Sequence, residues 1–226
     1  MAPHPLILCI ETSSPVCSVA LGSASGLIHE AVSDEPNGHS RVLAQMVSDT
    51  VRQNGLSFED LAAVAVNSGP GSYTGLRIGM STAKGLCYAL GKPLIAVTAF
   101  ESMVRTFLGR HAPQPGDLLV PMIDARRMEV YTRVFDPAGN AVGEQKAYIS
   151  GEDGLLPARV EGKIWLIGSG AEKMVPGFAG YDAAAFPDTF ISAAGLLRPA
   201  LERFAAGRFD DVAYTTPNYG KSWQKA

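Results

Sequence analysis

The chain is poor in residues that hold metals or cross-link. Only 4 histidines and 3 cysteines occur in 226 residues, and their spacing removes several chemistries at once. Cys9, Cys17 and Cys87 form no Cys-x-x-Cys pair and sit in apolar or helical patterns, so they read as buried reduced thiols. His4, His29, His39 and His111 are scattered, with no pair at helical ligand spacing. Each reads as a surface or capping residue, His39 being placed to cap the first helix. A positive charge excess is also missing: the net charge is -3, which argues against tight RNA binding by this chain alone. No long apolar run exists. Leu6–Ile10 is too short for a signal core or a membrane span and no basic segment precedes it, so a cytoplasmic location without membrane contact is expected.

With 46% hydrophobic and 18% charged residues, the composition is that of a globular protein with a substantial core, in one large or two small domains. The most informative segment is Asn67 to Pro93, a Gly-rich loop joined to a helix that is apolar on nearly every side. Gly69, Gly71 and Gly75 permit close backbone approach, and Gly91 with Pro93 ends a helix expected from about Gly75 to Leu90. Leu76, Met80, Ala83, Cys87 and Leu90 form the stripe that packs on the protein's own sheet. A second stripe, Ile78, Ser81, Gly85 and Ala89, is mostly small and suits the close approach of another helix. Either a neighbouring helix of the same domain or a partner covers it, and the residues by themselves favour the neighbour. A Gly-rich turn ahead of a helix also offers amides to anions. No Gly-Lys-Ser/Thr follows it, however, and such glycines are more often turn formers than phosphate ligands.

Along the chain, Leu6–Ile10, Cys17–Leu21 and Gly26–Val32 read as a meander, followed by a helix Arg41–Asn54 capped by Ser40 with Val42 and Met46 on its apolar face. Strand Ala62–Asn67, the loop and its helix, strand Leu94–Val97 and a helix Ala99–Leu108 complete a βββαβα order. After a linker, His111–Asp117, strands are expected at Leu118–Ile123, Glu129–Phe135 and Asn140–Ala147, then a short helix near Ser150, strand Lys163–Ile167, and a helix Ala193–Ala206 capped by Ser192. The pattern repeats. Two subdomains are expected, residues 1–110 and 111–226, with the helix 192–207 packing back on the first.

Two βββαβα halves point to the α/β duplicated architecture of actin, sugar kinases and Hsp70. The residues carry a more specific resemblance: Ile7-Leu-Cys-Ile-Glu-Thr-Ser13, Ser68-Gly-Pro-Gly-Ser-Tyr-Thr-Gly-Leu-Arg-Ile-Gly79, Ser81-Thr-Ala-Lys-Gly85, Gly91-Lys-Pro-Leu94 and Asp124-Ala-Arg-Arg-Met-Glu-Val-Tyr131 resemble the TsaB (YeaZ-like) family. The resemblance runs from residue 6 to about residue 135 and is weak beyond it. The ending Pro217-Asn-Tyr219-Gly-Lys221 only loosely follows that family's Pro-x-Tyr-Leu-Arg.

The resemblance implies a non-catalytic subunit that binds a TsaD-like catalytic paralogue, with a TsaE-like ATPase, for threonylcarbamoylation of adenosine 37 in tRNAs reading ANN codons. Alone, such a chain is expected to be a homodimer, meeting tRNA only through the complex. Partner-binding residues are expected at Val42, Met46, Ile78, Ser81, Gly85 and Ala89. The paralogue carries a His-x-x-x-His metal site just after the strand equivalent to Leu94–Val97, where this chain has Ala99-Phe-Glu-Ser-Met103. Neither Ala99 nor Met103 replaces imidazole, so no metal and no catalytic residue are expected. Thr12, Ser13, Gly69, Gly71 and Ser72 are the residues for any weak anion contact, and no cofactor is expected beyond weak or interface-shared ATP or ADP. At Asp124-Ala-Arg-Arg127 side chains replace the glycines with which related kinases wrap phosphate; a hairpin with solvated arginines is the favoured reading, and Gly168-Ser-Gly170 reads as a turn. The alternatives are a glycoprotease-like metallohydrolase, or a small-molecule kinase of the same fold. Against a serine hydrolase, Ser13, Ser14 and Ser72 have no adjacent histidine and no Gly-x-Ser-x-Gly elbow.

Overall fold

The computed structural model describes residues 4–36, 38–152, 154–189 and 191–220. Lys221, in the expected terminal motif, lies outside them. The chain forms two compact units. Unit 1 takes the residues up to Ser102 together with Ile191–Tyr219; unit 2 takes those from Met103 up to that return, with Gly220. The division thus falls inside a helix and at 190/191, not at 110/111.

In unit 1, β1 (Leu6–Glu11), β2 (Cys17–Ser23) and β3 (Gly26–Ser33) form the expected meander, α1 (His39–Arg52) leads to β4 (Leu61–Asn67), α2 (Tyr73–Leu90) to β5 (Leu94–Val97), and the unit's first segment ends inside α3 (Ala99–Leu108). The sheet order is β3-β2-β1-β4-β5, with β1 antiparallel to β2 and parallel to β4. Alternation along β1 separates two cores. Leu8 and Ile10 point to one face, where Leu43 and Val47 of α1 and Met80, Ala83 and Cys87 of α2 pack. Ile7 and Cys9 point to the other, covered by α5 (Ala193–Ala205) through Ala193, Leu196, Leu197 and Ala200. Ser192 caps α5, its hydroxyl accepting the Ala194 amide at 3.1 Å. Beyond α5 the chain runs back across the edge of the sheet: the Asp210 amide donates to Leu94 O at 2.9 Å, and its carboxylate accepts the Ala96 amide at 2.7 Å.

Unit 2 contains β6 (Leu118–Asp124), β7 (Glu129–Thr132), β8 (Lys146–Ile149), β9 (Ile164–Ile167), α4 (Ala171–Met174) and β10 (Ala183–Phe186). Its sheet order is β10-β9-β6-β7-β8. Strand for strand this is the order of unit 1, and the parallel and antiparallel pairings match as well. The expected duplicated actin, sugar-kinase and Hsp70-like fold is therefore present.

Several local expectations change. α1 starts at His39 with Gly38 as its cap, so Ser40 lies inside the first turn rather than capping it. The His39 ring does not cap the helix either; its Nε2 lies 2.9 Å from the Ser14 carbonyl oxygen. The segment near Ser150 is a turn, and the helical turn comes later, at α4, followed by a short 3₁₀ helix from Val175 to Phe178. The strand expected over 140–147 is β8, shifted toward 149, preceded only by an isolated Phe135–Ala141 bridge. β10 was not expected, because Ala183-Ala-Ala-Phe186 has neither alternation nor β-branched residues. His111 is half-buried rather than a surface linker residue: its ring stacks on Phe107 at 4.3 Å and meets Phe186 at 5.1 Å.

Because α5 supplies the second apolar cover of the first sheet among the described residues, truncating Leu196 to alanine is expected to cost about 2–5 kcal/mol. Urea unfolding checks this; a loss below about 1 kcal/mol would mean that α5 is not a structural cover.

Candidate functional site

Glu11 ends β1 with its side chain fully buried. Its Oε1 accepts the Ser13 amide at 2.5 Å and the Ser13 hydroxyl at 2.6 Å, and its Oε2 accepts Asn67 Nδ2. Asn67 Nδ2 also donates to the Ser13 hydroxyl at 3.0 Å, while Asn67 Oδ1 accepts the Gly69 amide at 2.7 Å. The ends of β1 and β4 and the start of the Gly-rich loop thus form one buried network. Burial pushes the Glu11 carboxyl above the usual glutamate range, and hydrogen bonds from Ser13, Asn67 and Ser14 oppose that push.

The glycines in this loop and in the first turns of α2 are needed for contact with β1. A side chain at Gly75 would collide with the Thr12 carbonyl oxygen, and one at Gly79 with the Thr12 hydroxyl. At Gly71 a Cβ would stand 2.5 Å from Ser13 O. The Thr12 hydroxyl donates to Gly75 O at 2.7 Å and the Ser72 amide to Ser13 O at 2.7 Å. Ser72 caps α2, its hydroxyl accepting the Gly75 amide at 3.2 Å, and Gly91 (φ +63°) closes the helix. Thr12, Ser13, Gly69, Gly71 and Ser72 therefore do come together, but the amides of Gly69, Ser72 and Gly75 already have acceptors within the chain. The loop is thus braced within the chain at these three amides.

The terminal segment completes the brace. Asn218 donates its amide to Ser68 O at 2.7 Å, and its carbonyl lies where a Gly69 side chain would be. The Tyr219 ring lies tilted against Tyr73, their centroids 4.6 Å apart, and Lys84 Nζ holds the carbonyls of Ala213 and Thr215 at 2.9 and 3.0 Å. Sequence reasoning missed this strap, whose only signal was the Pro217-Asn-Tyr219 fragment. It also missed Asn67 as the partner of Glu11, signalled only by a polar residue ending an apolar strand.

The six expected partner residues divide into two sets. Val42, Met46 and Ile78 are half-buried and pack against the unit 1 core. Val42 and Met46 also line a hollow of about 520 Å³ with Ala31, Val32, Gln45 and Asp49. Ser81, Gly85 and Ala89 are exposed. Thus no helix of unit 1 covers that stripe among the described residues, contrary to the reading the residues alone favoured. Nothing lies within 4 Å of a Cβ placed on Gly85, and Tyr88 beside it is 87% exposed.

Hydrolytic and metal chemistry find little support. The hydroxyls of Ser13, Ser14 and Ser72 bond to Glu11 and Asn67, to Val16 O and to the Gly75 amide respectively; none of these partners is a histidine. Ala99 and Met103 are buried and offer neither imidazole nor carboxylate, so these positions do not fit a metal of the paralogue's kind. Among the described residues no group of three or more His, Cys, Asp or Glu is arranged to hold a metal ion, and no helix is long and apolar enough to cross a membrane.

In unit 2, Arg126 (φ +71°) and Arg127 (φ +50°) adopt consecutive left-handed conformations at the β6–β7 tip. Each costs about 1–2 kcal/mol for a residue with a side chain. Lys173 supports the tip, donating to Asp124 Oδ1 at 2.5 Å and to the carbonyls of Arg127 and Glu129, both at 2.8 Å. That ammonium, with the Arg126 amide, holds the Asp124 carboxyl below the usual aspartate range, burial working against it.

Comparison with known proteins gives three kinds of match. A family model described as TsaD, tRNA N6-adenosine threonylcarbamoyltransferase, matches residues 31–219. The tRNA threonylcarbamoyladenosine biosynthesis protein TsaB of Bacillus subtilis (strain 168) is 35% identical over 129 residues, covering 57% of this chain and 54% of that protein. The TsaB of Escherichia coli (strain K12) is 33% identical over 136 residues, covering 60% and 57%. The chain spans about half the length of the curated relatives it matches. A crystal structure of a Pseudomonas aeruginosa protein with similarity to peptidase YEAZ aligns with a TM-score of 0.85 at 23% identity, over 96% of this chain and 100% of that one; the likeness is one of fold.

The same helix provides opposite tests of its glycines. Gly85→Ala is expected to stabilise the isolated monomer by about 0.5–1 kcal/mol, since the added methyl meets nothing. Gly75→Ala is expected to cost several times that, because the methyl meets a backbone carbonyl that cannot move aside. Denaturant unfolding of both variants decides it, and equal effects would contradict the assigned packing.

Glu11 sets a pH dependence. A carboxyl whose pKa is raised by folding binds its proton more tightly in the folded chain. Its contribution therefore favours folding below the ordinary glutamate pKa of about 4.3 and is lost as pH rises through the raised value. Stability of the native chain relative to Glu11→Gln is expected to fall as pH rises above about 4.3. Parallel pH profiles for the two proteins would show that Glu11 does not titrate in this way.

Proposed function

The chain belongs to the TsaD family of tRNA N6-adenosine threonylcarbamoyltransferases, where its curated relatives include TsaB proteins, and from this we propose that it is a non-catalytic subunit of tRNA threonylcarbamoyladenosine synthesis. Its task is to bind and stabilise a TsaD-like catalytic paralogue in the cytoplasm, with a TsaE-like ATPase completing the system. tRNA is met through that complex, and a homodimer forms when the chain is alone. No cofactor is assigned to the chain itself, beyond ATP or ADP held weakly or shared at the interface.

The observation that carries this reading is the exposed stripe Ser81, Gly85 and Ala89 on a helix whose other face is core. A glycine in mid-helix weakens the helix by about 1 kcal/mol, and Gly85 relieves no clash inside the chain. Small residues at this spacing instead let a second helix come close, so that many weak dispersion contacts form across the seam. Val42 and Met46, half-buried at the neighbouring helix, extend that surface with apolar side chains. The paralogue shares the fold and presents equivalent helices, which makes homodimer and heterodimer competitors for one surface. The positions at which the paralogue holds its metal are alanine and methionine here, so chemistry falls to the partner.

Gly85→Glu is expected to weaken association with the paralogue by at least about 100-fold, since a charge would be buried in a helix contact without a partner. Co-elution and light scattering on a variant shown to be folded by circular dichroism measure this, alongside mass spectrometry of tRNA nucleosides from cells carrying it. Normal homodimerisation with normal paralogue binding would refute the interface. A complex that lacks this chain but retains full activity would refute the role.

A further inference from the structure

The tip of the β6–β7 hairpin holds a backbone shape that its side chains disfavour. Arg126 and Arg127 both have positive φ, a conformation that Asn and Gly adopt far more readily at a hairpin tip. A turn requirement alone would not select two arginines there.

The surroundings indicate what they do. Three of the tip's amides are engaged: Arg126 N donates to Asp124 Oδ1 at 2.7 Å, Ala125 N to Glu129 O at 3.1 Å and Glu129 N to Arg126 O at 3.2 Å. Lys173 pairs with Asp124, the carboxylate bonded to the tip, so the two guanidinium charges are not offset by it. Elsewhere arginines are commonly partnered: Arg77 donates to Tyr73, Arg133 to Gly143 O, Arg198 to Glu202 and Arg203 to Glu101. Arg126 and Arg127 are exposed, and among the described residues their guanidinium groups have no hydrogen-bond or ion-pair partner. Two adjacent planar forks on a tip braced by Lys173 suit bidentate recognition of phosphate oxygens.

We propose that the Arg126–Arg127 tip is a binding site for the phosphodiester backbone of an RNA strand, an inference that rests on the functional reading above. With a net charge of -3 the chain does not recruit RNA by its overall field. The tip is an auxiliary clamp on RNA already held by the assembled complex.

The test is made on the complex with the catalytic paralogue, using an unmodified tRNA that reads an ANN codon as the probe. Arg126→Asn combined with Arg127→Gly supplies the dipeptide that such a tip prefers, so the fold is kept while both charges are removed. The thermal midpoint is expected to stay the same or rise, co-elution with the paralogue to persist, and tRNA affinity to fall about tenfold at ~0.1 M salt. The slope of log affinity against log salt should become shallower by between about one and two. Arg159→Asn, which removes an exposed cation paired with Glu161, should change neither quantity. Unchanged affinity and slope in the double variant would overturn the inference. So would loss of assembly with an unchanged salt slope, which would make the tip a protein contact. A native complex that assembles but binds no tRNA also overturns it, whereas failure to assemble at all is read separately by co-elution and counts against the functional reading.

Discussion

The close approach of the start of α2 to the end of β1 is the constraint on which the rest of unit 1 depends. Gly75 and Gly79 lack side chains where the Thr12 carbonyl and hydroxyl lie against the helix, and the buried Glu11 carboxyl fixes Ser13 and Asn67 on either side of that contact. Once β1 and α2 are joined in this way, the helix has little rotational freedom. Leu76, Met80, Ala83 and Cys87 must then face the sheet, and Ser81, Gly85 and Ala89 must face outward. The same brace therefore sets which face of α2 is turned outward.

The duplication shows how one frame supports different sites. Both sheets have the same strand order, yet the turns at the ends of their first strands have diverged. In unit 1 glycines allow the backbone to close on itself, through Ser72 to Ser13 and Asn218 to Ser68. In unit 2 the equivalent region carries arginines in left-handed conformations, locked by a lysine. A strand order is set by apolar alternation and is robust to changes at strand ends, whereas each turn is decided by a few polar contacts. Divergence at the turns is therefore the change least costly to the fold.

The same distinction explains what could be read in the sequence. Strands such as Leu6-Ile-Leu-Cys-Ile10 and the buried stripe of α2 were legible because burial on a fixed period leaves a strong pattern. α5 was legible through the Ser192 cap and its apolar face. β10 was not, since an alanine run satisfies a short parallel strand by backbone pairing with β9 alone. The strap over residues 210–219 was illegible for a related reason: its contacts are hydrogen bonds with at least one main-chain partner and a tyrosine pair, between positions more than a hundred residues apart. At the candidate site, the glycines revealed a close approach but not its object. In the structure these glycines approach the protein's own carbonyls and hydroxyls.

The composition of the outward stripe reconciles two demands that usually conflict. A subunit that spends part of its time without a partner cannot expose a broad apolar face, because such patches invite nonspecific association. Ser81, Gly85 and Ala89 expose little apolar area, so the uncovered helix remains compatible with water. Their advantage appears only when a complementary helix arrives, when the short Cα-to-Cα distance brings many backbone and side-chain atoms into dispersion contact. Larger residues such as leucine would bury more area but would hold the helices apart and leave the free chain prone to aggregate. Affinity in this arrangement depends on geometric fit rather than on hydrophobic area. A helix of matching shape would meet that fit, whereas an arbitrary apolar surface would not.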